Sequence, residues 1–454
     1  MAVITAASIA ADVDRLARAL VSRRVAPGDR VAALLPNGAP FFVAGLAAAR
    51  CEATFLPINW HLKAAEVEWI TADSAAKVLI DADTYEGLLA SAPADVGLPT
   101  GYPSPALMFY TSGTTGRPKG VLHPSTDAVR LGTVQEMLAT MWGFTADDVH
   151  LLCGPAYHGG PGGYAFNHLF IGATVVIQPT WSARHWLQLV SEHRVTTTFM
   201  TPAHFIRILE VPDEERAAYD VSSLRLIIHG AAPCPVDVKR RFIAAVPSAE
   251  VYELYGASEG GATRISSKEW LERPGSVGTP WPNVDVKVDD AGLIWIRPPG
   301  GVGFKYHNDP DKTAGAWDGE YFTVGDVGHL DDDGYLYITD RASDMVIRDG
   351  VNIYPREIEN ALHAHPAVID CAVLGIPDPR HGEVLKAVVE TALPIDAEHL
   401  AAHVRLHLAD FKCPEVWEFT DQLPRDPSGK VRKRDLRATA TGGAPGRSGD
   451  GRVS

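Results

Sequence analysis

ALMFYTSGTTGRPKG, residues Ala106 to Gly120, runs from an apolar strand-like segment into a loop of small and hydroxyl residues that closes on Lys119 and Gly120. Glycines such as Gly113 and Gly116 let backbone N–H groups approach phosphate oxygens. The hydroxyls of Thr111, Ser112, Thr114 and Thr115 add donors to the same anion, and Lys119 supplies a compact positive charge. It is not a Walker loop, because counting from Gly113 puts Pro118 where a second glycine is required. A plain surface turn is the competing reading, but an unbroken run of this kind leading into Lys-Gly is hard to explain as a turn alone.

Upstream of the loop, helical and strand-like segments alternate. Val13, Leu16, Ala17 and Leu20 recur at helical spacing, APGD makes a turn, and RVAALLP reads as a strand. FFVAGLAAARC then reads as a helix, ATFLPIN as a strand, Ala64 to Ala72 as a helix and AKVLID as a strand. Downstream, GATVVIQP, RVTTTFMTP and LRLIIHG repeat the pattern, which suggests a largely parallel sheet covered on both faces. From about Val284 the texture changes to short alternating strands, VDVKVDD, GLIWIRP and GYLYITD, the mark of a small β-rich subdomain. After Arg341, helical ALHAHPAV, strands CAVLGIPD and VLKAVVET and a helix around Leu400 to Leu408 form a small α+β domain of about 90 residues. The Gly/Ser/Arg-rich end reads as a disordered tail.

The 454 residues are 46% hydrophobic and 21% charged, a globular composition with length for two domains. A net charge of −15 argues against nucleic-acid or anionic-membrane binding, while a phosphate site needs only local donors. Five scattered cysteines without metal-ligand spacing read as reduced thiols of a cytoplasmic protein. No signal peptide and no membrane-spanning stretch is legible, since the longest apolar runs, such as Phe41 to Ala49, are far too short.

The loop resembles the signature of the acyl-CoA synthetase, peptide-synthetase adenylation domain and luciferase superfamily, and further motifs follow in that family's order from about Val13 to Arg437. The resemblance implies an α/β fold: a large N-terminal domain with parallel-type sheets and a small β-rich subdomain, then a small mobile α+β C-terminal lid. The corresponding spans are 1–342, 343–437 and a disordered tail at 438–454. In YELYGASEGG, Tyr255 would stack on adenine and Gly256 and Ser258 would contact nucleotide and phosphate. Glu259 would be the Mg²⁺ ligand. In HGAAPCP, Gly230, Ala231 and Ala232 would contact adenine and wall the acyl pocket. In CGPAYHGGPGG, His158 would lie between the carboxylate and thiol tunnels, with Gly159, Gly160, Gly162 and Gly163 forming a mobile or closely packed wall. Asp326 would take the ribose hydroxyls and Arg341 ribose or phosphate. Gly350 would lie on the loop that swings in for the second half-reaction, although RDG also reads as a plain β-turn. Lys430 would bridge the attacking carboxylate and the α-phosphate, so the implied catalytic set is Lys430, Glu259, Thr111 and His158. Arg432, Lys433 and Arg434 read as a solvated basic surface, and Asp331 to Asp333 as a hairpin turn rather than a Ca²⁺ loop.

The chain departs from the family at Ser343, where relatives carry Asp or Lys at the hinge, in its trimmed front and in the short link between Ile80 and Thr111. Peripheral strands and helices should therefore be missing. The implied activity is an AMP-forming acyl-CoA synthetase using ATP, Mg²⁺ and CoA on a carboxylic acid. GAAPCP, YHNDPDKTA and DGVNIYP favour CoA. The alternatives are an adenylation enzyme loading a carrier protein, a diazotase-type enzyme that adenylates nitrite for attack by an aryl amine, and a serine hydrolase using GASEG, Gly256 to Gly260.

Overall fold

The computed structural model describes residues 1–111, 118–123, 127–301, 303–427 and 429–441. The apolar stripe at Val13, Leu16, Ala17 and Leu20 is buried on the helix Ala6–Ser22, which Thr5 and Ser8 close with a capping box. Strands and helices alternate much as their spacing implies, but the parallel strands divide between two sheets. Arg30–Leu34, Thr54–Pro57, Val78–Asp81 and Ala106–Thr111 are parallel in one sheet, whose edge continues antiparallel through Lys119–Leu122 and Lys305–Tyr306. Val149–Leu152, Thr174–Ile177, Thr197–Met200, Leu226–His229 and Glu250–Ala257 are parallel in the other. That second sheet runs on antiparallel through Gly260–Ile265, Ser276–Pro280, Leu336–Arg341 and Asp326–Leu330. Alternation of helix and strand is a local signal, whereas the choice of pairing partner is not, so one sheet and two read alike in sequence.

Between the sheets, the helices Ala39–Arg50 and Gly159–Phe170 meet through Phe41, Phe42, Phe55 and Phe166, whose rings pack at 5.0 to 6.1 Å between centroids. Each such fully buried ring stabilises the core by about 1.5–3 kcal/mol. The glycine-rich PGG run, expected as a pocket wall, begins this second helix. Gly162 is required there, because a Cβ would lie 1.9 Å from the Ala156 carbonyl.

The β-rich portion is an antiparallel sheet of Asp285–Val288, Ile294–Arg297, Tyr321–Phe322 and Trp317–Asp318; GYLYITD, expected with it, instead joins the large sheet as Leu336–Arg341. Beyond Arg341 a separate sheet carries Val346–Arg348, Val351–Ile353, Val368–Asp378, Gly382–Thr391 and Val416–Thr420, backed by helices Pro355–His363 and Ala397–His407. The helix expected at ALHAHPAV ends at His363, with Pro355 setting its start, so 364–367 turn instead and Val368 opens the next strand. Residues 331–335 turn between antiparallel strands, as expected for a hairpin. Most of the expected tail, 442–454, lies outside the described residues.

All five cysteines are free and buried. Burial pushes the Cys51 and Cys153 thiols up to about 12 and raises Cys234, Cys371 and Cys413 as well. Among the described residues no helix is long and apolar enough to cross a membrane.

Candidate active site

Three antiparallel hairpins aim their mouths at one cleft. In the first, Thr111 stands opposite Lys119, so hydroxyl and ammonium flank the connecting loop; Ser112, Gly113, Thr114, Thr115 and Gly116 lie outside the described residues. Lys119 Nζ is 3.6 Å from Asp309 Oδ2. In the second, Ala257 pairs with Gly260, leaving Ser258 and Glu259 as the two turn residues, next to the paired Gly256 and Gly261. A carboxylate at a two-residue turn projects from the sheet end on a short, well-held stem. In the third, Asp326 pairs with Arg341, whose Nε lies 3.2 Å from Asp326 Oδ1. The buried Tyr255 hydroxyl donates to Asp326 Oδ2 at 2.8 Å and so links the second hairpin to the third. Burial and the Asp326 charge both hold the Tyr255 hydroxyl protonated, well above its ordinary range.

The hairpin at Ser258 and Glu259 overturns the hydrolase reading of GASEG. A nucleophile elbow needs a strand turning sharply into a helix, whereas here strand returns to strand. The neighbouring His123 donates from Nε2 to the Ser258 carbonyl at 2.9 Å, not to its hydroxyl.

His158 caps the start of the helix Gly159–Phe170, beside the Tyr157 ring. Burial pushes its imidazole down to about 4, so it is neutral at physiological pH. Asp426 opposes that shift and Lys430 adds to it, which puts His158 within the field of both. Gly230, Ala231 and Ala232 follow the strand Leu226–His229 at a chain reversal. Ala231 takes a left-handed φ of 70° there, and Gly230 packs under the Leu254 carbonyl next to Tyr255. A left-handed alanine costs about 1–2 kcal/mol, which the flanking strands must hold in place.

From the C-terminal portion, one loop enters the same cleft. Asp426 Oδ1 accepts from Lys430 N at 3.0 Å, and Asp426 N donates to the Lys430 carbonyl at 2.8 Å. Gly429, at φ +89°, makes the turn between them, and a Cβ there would lie 2.9 Å from Thr201 Oγ1. The Lys430 side chain is exposed, but the protein around its ammonium desolvates it in part, and this with Arg341 nearby lowers its proton affinity. Asp426, Asp326 and Glu259 pull the other way, so the ammonium, His158 and both cleft carboxylates share one field. Across the boundary, Arg207 grips Glu390 with two bonds, 2.6 and 3.0 Å. Gly350 is not gathered with this group. It turns the hairpin Val346–Ile353, beside an Asp349–His381 contact of 2.9 Å.

Lys433 corrects the expectation of a solvated basic surface. It is mostly buried, and its Nζ lies 2.8 Å from Glu359, which with Asp340 raises its proton affinity. Arg437 meanwhile reaches Asp344, next to Ser343, at 3.2 Å. The sequence reading missed Tyr306, whose hydroxyl donates to Glu259 Oε1 at 2.9 Å, and Lys312, whose Nζ lies 4.2 Å from the Tyr306 ring centroid. Desolvation and the adjoining Lys119 lower Lys312 to about 8, against the pull of Glu259 and Asp309. YHNDPDKTA holds both residues, but no local pattern says where the segment docks.

Among the described residues no cluster of three or more His, Cys, Asp or Glu side chains is built to hold a metal. Glu259 alone fits a Mg²⁺ that keeps its waters and shares phosphate oxygens, because Mg²⁺ commonly takes one or two carboxylates and leaves the rest to substrate and solvent.

The family described as AMP-binding enzyme matches residues 2–303, and the AMP-binding enzyme C-terminal domain matches 357–430. A feruloyl-CoA synthase of Amycolatopsis sp is 35% identical, over 96% of this chain and 93% of the relative. A fatty acid–[acyl-carrier-protein] ligase, ScoC of Streptomyces coeruleorubidus, is 32% identical over 93% of this chain and 89% of its own. The structure of o-succinylbenzoate CoA synthetase from Bacillus subtilis with its acyl-adenylate intermediate superposes with a TM-score of 0.82 at 26% identity, covering 97% of this chain and 94% of that one.

Proposed function

Because the chain belongs to the AMP-binding enzyme family, we propose that it is an AMP-forming acid–CoA ligase working in two half-reactions. In the first, a carboxylate oxygen of the acid attacks the α-phosphorus of ATP, the bond to the bridging oxygen breaks, and pyrophosphate leaves with the electron pair. Lys430 bridges the carboxylate and the α-phosphate and offsets the charge that gathers in the transition state. Thr111, Lys119 and the intervening loop hold the phosphates. Tyr255, Gly256 and the Gly230–Ala232 reversal bound the adenine, and Asp326 with Arg341 takes the ribose. Neutral His158 lines the path of the carboxylate. Glu259 would hold Mg²⁺, which supplies Lewis acidity at the phosphate oxygens. In the second half-reaction the lid, residues 343–437, turns about Ser343 and carries Lys430 away. CoA thiolate then attacks the acyl carbon and AMP departs.

The observation that carries this reading is that Lys430, from the lid, enters the field of Glu259, Asp326 and Arg341. A phosphate-facing lysine on a separately packed segment suits a reaction that needs its charge in one step and its absence in the next. The test is AMP release with ATP and Mg²⁺ over a panel of acids, each with and without CoA. If no acid supports ATP cleavage, adenylation of acids is wrong, and cleavage with nitrite plus aryl amines would identify a diazotase instead. A second reading, transfer to a carrier protein rather than to CoA, is favoured by the similarity to ScoC. Thioester on a phosphopantetheinylated carrier but not on CoA would select it.

A further inference from the structure

Lys312 lies in YHNDPDKTA, a segment assigned no phosphate role from sequence, yet the fold delivers it next to the strand that ends the phosphate loop. It lies on the turn of helix Pro310–Ala316 that follows the strand Lys305–Tyr306. That strand pairs with Lys119–Leu122, Tyr306 opposite Val121, and His307 N–H donates to the Gly120 carbonyl at 2.8 Å. The pairing brings Lys312 to Lys119 from a part of the chain distant in sequence, with Asp309 joining them: its Oδ1 accepts from the Lys312 N–H at 3.0 Å. Lys119 Nζ faces Asp309 Oδ2 at 3.6 Å. The Lys312 ammonium rests 4.2 Å from the centroid of Tyr306, whose hydroxyl is bonded to Glu259 at 2.9 Å. Side chains of both lysines are partly buried, and the carboxylates acting on Lys312 are Glu259 and Asp309.

Two neighbouring ammonium groups repel, and with one carboxylate, Asp309, between them they leave positive charge that an entering anion can take. Neither lysine is long-range filler for an acidic patch. Asp309 is shared, and Glu259 Oε1 is already engaged by the Tyr306 hydroxyl. The anion that fits must be multiply charged and must reach past the loop mouth, away from the Asp326–Arg341 end where the ribose is assigned.

We propose that Lys312 and Lys119 together clamp the β- and γ-phosphates of ATP and the pyrophosphate that leaves. The assignment rests on the adenylation reading given above. As the carboxylate oxygen bonds to the α-phosphorus, the bond to the bridging oxygen breaks and its electron pair stays on pyrophosphate. No proton moves, and the paired ammonium groups face the oxygens that gain charge. Tyr306 is a positioning residue: its ring supports the Lys312 head and its hydroxyl ties that support to Glu259.

The test compares wild type, Lys312→Met and Lys312→Arg in the full chain. Calorimetry reads the affinities for ATP, inorganic pyrophosphate and AMP, and a separate assay reads thioester formation from a supplied acyl-adenylate and CoA. Methionine keeps the apolar stem over Tyr306, so the variant retains the packing. Lys312→Met should weaken ATP and pyrophosphate by roughly tenfold or more, as expected for loss of a charge-assisted contact. AMP affinity and thioester formation should stay within about twofold of wild type, and arginine should restore most of the loss. Unchanged ATP and pyrophosphate affinity would overturn the clamp, as would an equal loss for AMP, which marks a merely structural role. The binding contrast needs no acid. If wild type cleaves ATP with no acid at all, the adenylation reading fails while the clamp is still judged by triphosphate against monophosphate.

Discussion

Glu259 and Lys430 face the same cleft from opposite sides, and they are held there by different means. Glu259 stands in the turn of a hairpin whose strands run on into the large sheet, so backbone hydrogen bonds on both sides keep it in place. Lys430 stands on a loop braced within its own portion by Asp426, and by Arg425 against Asp370. Its portion meets the large one through contacts that include the Arg207–Glu390 pair and the seat of Gly429 against Thr201. Ladder bonds cannot be exchanged without unfolding a sheet, whereas an ion pair can open and re-form as a unit moves. The contrast suits a reaction in which metal and ribose contacts persist while one charge comes and goes.

The largest effect expected is from Lys430→Ala, which removes the movable charge alone. Adenylate formation should fall by about 10²–10³-fold, the range for one lost transition-state donor, while thioester formation from a supplied adenylate is spared. Equal loss in both half-reactions, measured separately, would erase the distinction between the two sides. Next, Asp326→Asn strikes the static side, in a region that both half-reactions use. It should weaken ATP and AMP alike by roughly 10–100-fold, since a charge-assisted contact is worth about 1.5–3 kcal/mol. Selective loss for ATP would move Asp326 away from ribose recognition.

Arg207→Ala sharpens the comparison at the boundary itself. It leaves buried Glu390 without its two guanidinium bonds, so adenylation should drop several-fold while thioester formation holds or improves. Stopped-flow measurement of each half-reaction decides this, and a symmetric decline would show that the pair is simply structural. The smallest effect is a pH dependence of stability. Burial holds His158 and His168 down to about 4 and His204 down to about 3, from an ordinary value of 6.5. These groups are neutral when folded, so the unfolded chain binds more protons below pH 6.5. Their contribution is fully present above that pH and is lost as pH falls towards 4. The thermal midpoint should therefore be lower at pH 5 than at pH 7.5, and His204→Gln should flatten the slope. Arg425 of the C-terminal portion lies close enough to His204 to disfavour its protonation, so a flat slope in that variant would place the acid sensitivity where the two portions meet.

The carboxylate after YGAS and the lysine after DPSG were legible because each motif is local, and the structure brings them near one another. The glycine–hydroxyl loop stands out as plainly in sequence, but most of its residues lie outside the described ones. The division into two sheets was not legible, since pairing is non-local: the strand Lys305–Tyr306, for one, finds Lys119–Leu122 across a long stretch of chain that no periodicity spans. Lys312 and Tyr306 were missed for the same reason: their meaning is their neighbours. Lys433 misled because three basic residues in a row look solvated, while the helix Lys433–Thr441 turns the first of its residues inward to Glu359. The glycines after His158 suggested a wall, and the need for Gly162 came from a carbonyl that only the folded helix brings close.

An enzyme that makes an activated acyl group for transfer to sulfur runs the hazard of acylating itself. Here every thiol of the chain is buried, and each is held in its unreactive protonated form, including Cys234 in the HGAAPCP segment next to the strand Leu226–His229. Chemoselectivity thus comes in part from subtraction: the acyl-adenylate meets no competing internal sulfur nucleophile, and a thiolate must be brought from outside.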